Sequence, residues 1–176
     1  MCSLLGIVAS LLLATAAFAK EPGHSVLVLA DAKEPGTRMV IAGRVWKADG
    51  RTPAGAESVL VYQTDASGEY GSRPAITPPP RTRDARLSGY VTTDPEGRFE
   101  VRTIRPGPYR TGATPAHVHF VIRGNARFEL QFADDRLVAA TDRKDMAKDG
   151  TFALVRPVRI DAKGVQHVSK DFRLPR

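Results

Sequence analysis

Pro115-Ala116-His117-Val118-His119-Phe120-Val121-Ile122-Arg123-Gly124-Asn125-Ala126-Arg127-Phe128-Glu129-Leu130-Gln131-Phe132 decides the fold. Two runs rich in apolar, β-branched and aromatic residues, His117 to Ile122 and Phe128 to Phe132, flank a turn at Gly124 to Arg127. That is the pattern of a β-hairpin. Successive side chains on a strand point to opposite faces, so His117 and His119 share one face while Val118 enters the other layer. Two neutral imidazoles on one face supply half of a metal site. Such a pair also suits a plain solvated strand, but the chain has only 4 histidines and places two of them here.

The same strand grammar extends outward in both directions. Ser25 to Leu29, Met39 to Trp46, Ser58 to Gln63, Gly89 to Thr93, Arg98 to Ile104, Phe152 to Ile160 and Val165 to Leu174 are all strand-like runs. Turn signals separate them, among them Asp49-Gly50, Ala66-Ser67-Gly68, Asp94-Pro95-Glu96-Gly97, Arg105-Pro106-Gly107-Pro108 and Lys163-Gly164. With 13 prolines and 15 glycines, no long helical period survives. Many short strands between turns predict an all-β protein, a single β-sandwich domain over residues 20–176. One short helix is expected around Asp142 to Lys148, and the proline-rich stretch Pro74 to Pro80, followed by Arg81, Arg83 and Arg86, is expected as a surface loop within that domain.

Residues 1–19 carry no charge and end in Ala17-Phe18-Ala19 just before Lys20 and Glu21. The apolar run is shorter than the ~20 residues of a spanning helix, so a cleaved signal peptide and export to the periplasm or medium are expected, with no stable membrane span afterwards. Cys2 is the only cysteine, so the exported domain has no disulfide, and any metal in it must take oxygen and nitrogen ligands. The 26 Lys and Arg outnumber the 19 Asp and Glu, for a net charge of +7. They are scattered among acids and turns with no interleaved aromatics, which excludes a nucleic-acid partner from the expectations.

Upstream of the histidine pair, Tyr109 ends Thr103-Ile104-Arg105-Pro106-Gly107-Pro108-Tyr109, and Tyr70 ends Thr64-Asp65-Ala66-Ser67-Gly68-Glu69-Tyr70. Each tyrosine follows a glycine-containing turn at the end of a strand-like run. An isolated tyrosine usually packs with a wet hydroxyl. Tyr62 and Tyr90, inside strand-like runs, are expected to pack. His167 reads as a strand surface residue, His24 as solvated, and Asp134-Asp135 as acids facing water.

With these segments in place, the sequence resembles the intradiol ring-cleavage dioxygenases. The resemblance runs from about Ile41 to Phe132, through Ile41-Ala42-Gly43-Arg44-Val45, Gly50 to Ala56, Val59 to Gln63, Gly68-Glu69-Tyr70 and Thr93 to Phe99. Its most specific part is Arg102 to Tyr109 followed by Pro115-Ala116-His117-Val118-His119-Phe120. The resemblance implies a β-sandwich holding one non-haem iron(III) through Tyr70, Tyr109, His117 and His119. It further implies O2-dependent cleavage of a catechol-type substrate between its hydroxyl-bearing carbons, giving a muconate-type diacid. In that reading Tyr109 leaves the metal and takes a substrate proton. Gln131 matches a glutamine near the family's site, and an edge-strand role for it stays equally open. The ligand set is chemically coherent, because a hard cation favours anionic oxygen and lets phenols ionise below their free value of ~10.

Thr114 stands three residues before His117, where the family carries an arginine, and the loop 110–116 is short. Loss of a preorganised cation costs on the order of a hundredfold in rate. Arg110 is the nearby candidate for the same space. An exported module that binds a metal or a catechol with little catalysis is therefore the alternative, and a purely structural transthyretin-like domain is a third. Dimerisation through an N-terminal helical region is not expected, and the oligomeric state stays unassigned.

Overall fold

The computed structural model describes residues 25–71, 85–139 and 153–176, with side chains described outside 153–155. The leader expected over 1–19, His24, the proline-rich stretch with Arg81 and Arg83, and the helix expected at 142–148 lie outside the described residues. Among the described residues the protein is all-β, with no helix, and hence none long and apolar enough to cross a membrane.

Two open sheets share one core. The first runs β1 (Ser25–Val28), β5 (Arg98–Ile104), β2 (Arg38–Trp46), β10 (Gln166–Ser169) and β9 (Arg159–Ile160), with β11 (Phe172–Arg173) also on β2. The second runs β4 (Leu87–Thr92), β3 (Ser58–Gln63), β6 (His117–Ile122), β7 (Ala126–Phe132) and β8 (Ala153–Arg156). Alternation along each strand sends one set of side chains between the sheets. Ile41, Val45, Phe99 and Val101 come from the first, and Val59, Val61, Val118, Phe120 and Leu130 from the second, all essentially inaccessible. Phe99 meets Phe120 at 5.9 Å between ring centroids, and Phe172 meets Phe120 at 4.8 Å. Each such side chain contributes about 1.5–3 kcal/mol by leaving water.

Two expected strands are each split. Pro157 has no N–H to donate and stands between β8 and β9. The second break, at Lys170-Asp171, lies between β10 and β11, which keep one register on β2. Lys170 O lies so close to Gly43 that a Cβ there would meet it at 1.9 Å. The Asp171 carboxylate accepts from Arg44 N (3.0 Å) and Trp46 Nε1 (2.9 Å), replacing the ladder with side-chain bonds. Tyr90 also departs from expectation. Its neighbour Val91 points inward, so Tyr90 faces outward on edge strand β4 and is 67% exposed.

Ion pairs pin loops at both ends of the second sheet, one of them next to Tyr70. Arg86 donates to both Glu34 oxygens (2.5 and 2.7 Å), and its backbone N–H donates to Tyr70 O (2.8 Å). Arg123, at positive φ in the β6–β7 turn, donates to the buried Glu57, 2.6 Å from Nε to Oε2. The hydrogen bond from Arg86 holds the Glu34 carboxyl below its ordinary value of 4.5, and the bond from Arg123 does the same for Glu57. Groups depressed in the folded state stabilise it above the unfolded value and lose that contribution as pH falls through the folded value. Melting temperature is expected to hold down to about pH 5 and to fall steadily towards about pH 3. Arg86→Ala with Arg123→Ala should flatten this acid limb in melts recorded across that range.

Candidate metal centre

The site is built where two loops and one strand meet. Gln63 ends β3 with an amide pointing inward, in phase with Val59 and Val61, and is 0% exposed. Its Nε2 donates to Ile104 O (3.0 Å) and Thr64 O (3.1 Å), and its Oε1 accepts from Thr103 Oγ1 (2.9 Å). A buried amide is tolerated only when satisfied, and here its bonds strap the end of β3 to the end of β5. The chain leaving β3 carries Tyr70, and the chain leaving β5 carries Tyr109.

Those two loops lie directly on one another. Thr64 Oγ1 donates to Gly107 O (2.9 Å), and Gly107 N donates to Asp65 O (2.8 Å). The Asp65 carboxylate accepts from Ser67 N (2.9 Å) and Glu69 N (3.1 Å), which rounds off the first loop. Gly68 adopts φ +87°, and a Cβ on it would meet Pro108 O at 2.0 Å. A Cβ on Gly107 would meet Ala66 O at 2.6 Å. The glycines thus permit the approach that brings Tyr70 to Tyr109.

The histidines come from β6. Ala116 N donates to Asp135 Oδ2 (2.8 Å), fixing the entrance to that strand, while Asp134 pairs with Arg105 at 3.0 Å. His117 Nδ1 lies 2.7 Å from Pro115 O. A carbonyl only accepts, so Nδ1 carries the proton and the neutral ring keeps its lone pair on Nε2. Tyr62, opposite His119 on β3, stacks on its imidazole at 4.3 Å and 15°.

Four heteroatoms converge. Tyr70 Oη lies 2.6 Å from Tyr109 Oη and 2.9 Å from His119 Nε2. His117 Nε2 lies 3.2 Å from Tyr109 Oη and 3.0 Å from His119 Nε2. Ligands about 2.0–2.1 Å from a shared ion and at right angles are about 3 Å apart, so this ring of atoms has the dimensions of a coordination shell. Its chemistry fits a hard, highly charged cation, with two phenolic oxygens, two imidazoles and no sulfur. His117 is buried, and the other three are partly exposed.

The remaining expected site residues are placed differently. Gln131 is paired in register with His117 on the same sheet face and is 8% exposed. Arg110 is not among the converging groups. Its Nε lies 3.4 Å from Glu69 Oε1, and its side chain is 74% exposed. His167 Nε2 donates to the Asp161 carboxylate at 2.8 Å on the first sheet, apart from the centre. Glu129, which sequence reasoning passed over, sits opposite His119 on β7. With His117 and His119 it forms a group whose ligand atoms all lie within 4.8 Å.

Paired imidazoles and phenols share one face of this two-layer all-β frame, and residues 14–175 match the family described as Dioxygenase. The chain belongs to that family, the intradiol ring-cleavage dioxygenases. It is 34% identical over 95 residues to the protocatechuate 3,4-dioxygenase beta chain of Burkholderia cepacia, a match covering 51% of this chain and 40% of that protein. It is 30% identical over 120 residues to catechol 1,2-dioxygenase 2 of Acinetobacter lwoffii, covering 57% and 39% respectively. The chain thus spans less than half the length of these curated relatives. Among solved structures, 3-chlorocatechol 1,2-dioxygenase from Rhodococcus opacus 1CP superposes with a TM-score of 0.61 at 22% identity, covering 86% of this chain and 64% of that one. The dioxygenase domain of a carbohydrate-binding fusion from Streptomyces sp. SirexAA-E gives 0.59 at 23%, covering 86% and 89%. At those identities the likeness speaks for the fold.

Proposed function

We propose that this protein is an iron(III)-dependent intradiol dioxygenase that opens the ring of a catechol-type substrate with O2 to give a muconate-type diacid. The observation that supports this most is the closed ring of Tyr70, Tyr109, His117 and His119 heteroatoms, each 2.6 to 3.2 Å from the next. When bound there, ferric iron supplies the charge that ionises phenols and activates a chelated catecholate towards O2.

The chain's own residues divide the remaining work. His117 and His119 sit on a strand hydrogen-bonded on both sides, so their nitrogens are fixed points. Tyr109 lies in a loop and opens a turn closed by Gly112 N donating to its carbonyl (2.8 Å). With iron held by the four residues, Tyr109 would be the ligand whose Oη accepts a proton from one catechol hydroxyl. Tyr70, whose carbonyl accepts from the Arg86 N–H, would be the second phenolic ligand. The Tyr62 ring backs His119 and gives the site an aromatic wall.

Binding without efficient turnover is the second reading. It is favoured by Thr114 at the family's arginine position and by Arg110 turning to Glu69. Oxygen-electrode assays of the iron-loaded protein with catechol, protocatechuate and hydroxyquinol separate the two. The first reading expects O2 uptake matched by a muconate-type product. A visible spectral change on adding catechol, with no O2 consumed, would establish the second instead.

A further inference from the structure

We infer that Glu129 is a positioning residue for His119, holding the Nδ1 proton so that the Nε2 lone pair stays on the four-atom centre, and lending the imidazole negative charge. The inference rests on the iron reading and goes beyond it by distinguishing the two histidines. Glu129 and His119 are direct partners in the antiparallel β6–β7 register, so both side chains rise from one sheet face. His119 Nδ1 lies 3.7 Å from Glu129 Oε1, with side-chain exposures of 14% and 18%. That gap is longer than a hydrogen bond, and a small side-chain rotation closes it. No Lys or Arg pairs with Glu129 among the described residues. Tyr62, stacked on the ring at 4.3 Å, fixes the imidazole plane.

The two imidazoles therefore have unlike supports. His117 Nδ1 faces the neutral carbonyl of Pro115 at 2.7 Å, whereas His119 Nδ1 faces a carboxylate. A carboxylate behind a ligating imidazole raises its basicity and fixes its tautomer. His119 becomes the stronger donor, which favours the ferric over the ferrous ion. Nothing in the spacing of the His-x-His pair marks this asymmetry; only the register of the next strand does.

Glu129→Gln keeps the shape and an acceptor oxygen while removing the charge, and Glu129→Ala removes both. Iron(III) affinity, by competition with a chelator, should fall about ten- to a hundredfold in these variants, Ala more than Gln. The reduction potential of the bound iron should rise, by about 59 mV for each tenfold loss confined to the ferric state. The visible tyrosinate-to-iron band should move to longer wavelength. A residue that merely packs would move none of these while the melting temperature held. Wild-type affinity, potential and band in Glu129→Gln overturn the inference, and Glu129→Gln decides the matter even if the alanine variant fails to fold. A wild-type protein that takes up no iron overturns the iron reading and this inference together, whereas an iron-bearing wild type with indifferent variants overturns this inference alone.

Discussion

Replacing His117 and His119 together by alanine should strip the protein of tightly held iron and of its visible colour while leaving the fold intact. The two imidazoles occupy one face of β6, and the apolar side chains between and beyond them, Val118 and Phe120, anchor that strand in the core. The substitutions therefore leave the packed face untouched. They remove two of the four heteroatoms whose separations match a coordination shell. Loss of a supporting residue alone costs 10–100-fold in metal affinity, so loss of two ligands should exceed about a hundredfold. Iron content after gel filtration, with a far-UV spectrum as the fold control, reads the outcome. Unchanged iron content would show that the metal lies elsewhere.

Gly68→Ala should do comparable damage by a different route, through the loops that carry the tyrosines. The residue sits at φ +87°, where an L side chain is strained, and its new Cβ would stand 2.0 Å from Pro108 O. That carbonyl belongs to backbone, so no flexible side chain can yield. Left-handed strain and overpacking together should cost about 2–4 kcal/mol, a fall in melting temperature of roughly 5–15 °C at this chain length. Relief requires moving Pro108, and Tyr109 moves with it. The separation of 2.6 Å between Tyr70 and Tyr109 would open, so iron binding should weaken beyond what the stability loss explains. Gly112→Ala is the matched control, since its φ is also positive but no atom lies within 4 Å of a Cβ. It should cost the strain alone and leave iron binding near that of the parent.

The hairpin of β6 and β7 was legible in the sequence because strand alternation fixes which face each residue takes, and the histidine pair came with it. Pro157 was an equally local signal for a strand break, yet the run Phe152 to Ile160 was expected as one strand across it. The break at Lys170-Asp171 was not legible, because it depends on Gly43 admitting a carbonyl from a strand far away in sequence. The ligand set illustrates the same divide. Neither the spacing of Tyr70 from Tyr109 nor that of Tyr109 from His117 states that they meet. The family resemblance supplied that, and the loop contacts at Gly68 and Gly107 give its physical cause. Gln63 left a readable trace, a polar residue in the inward phase of β3, whereas Glu129 acquires meaning only once β7 is set in register against His119. Arg110 shows the opposite case, a residue near in sequence whose partner, Glu69, lies on the neighbouring loop.

The most direct test is a crystal of the iron-loaded protein measured at the iron absorption edge. One anomalous peak is predicted, about 2.0–2.1 Å from Tyr70 Oη, Tyr109 Oη, His117 Nε2 and His119 Nε2. A fully occupied iron peak away from those four atoms would contradict the account.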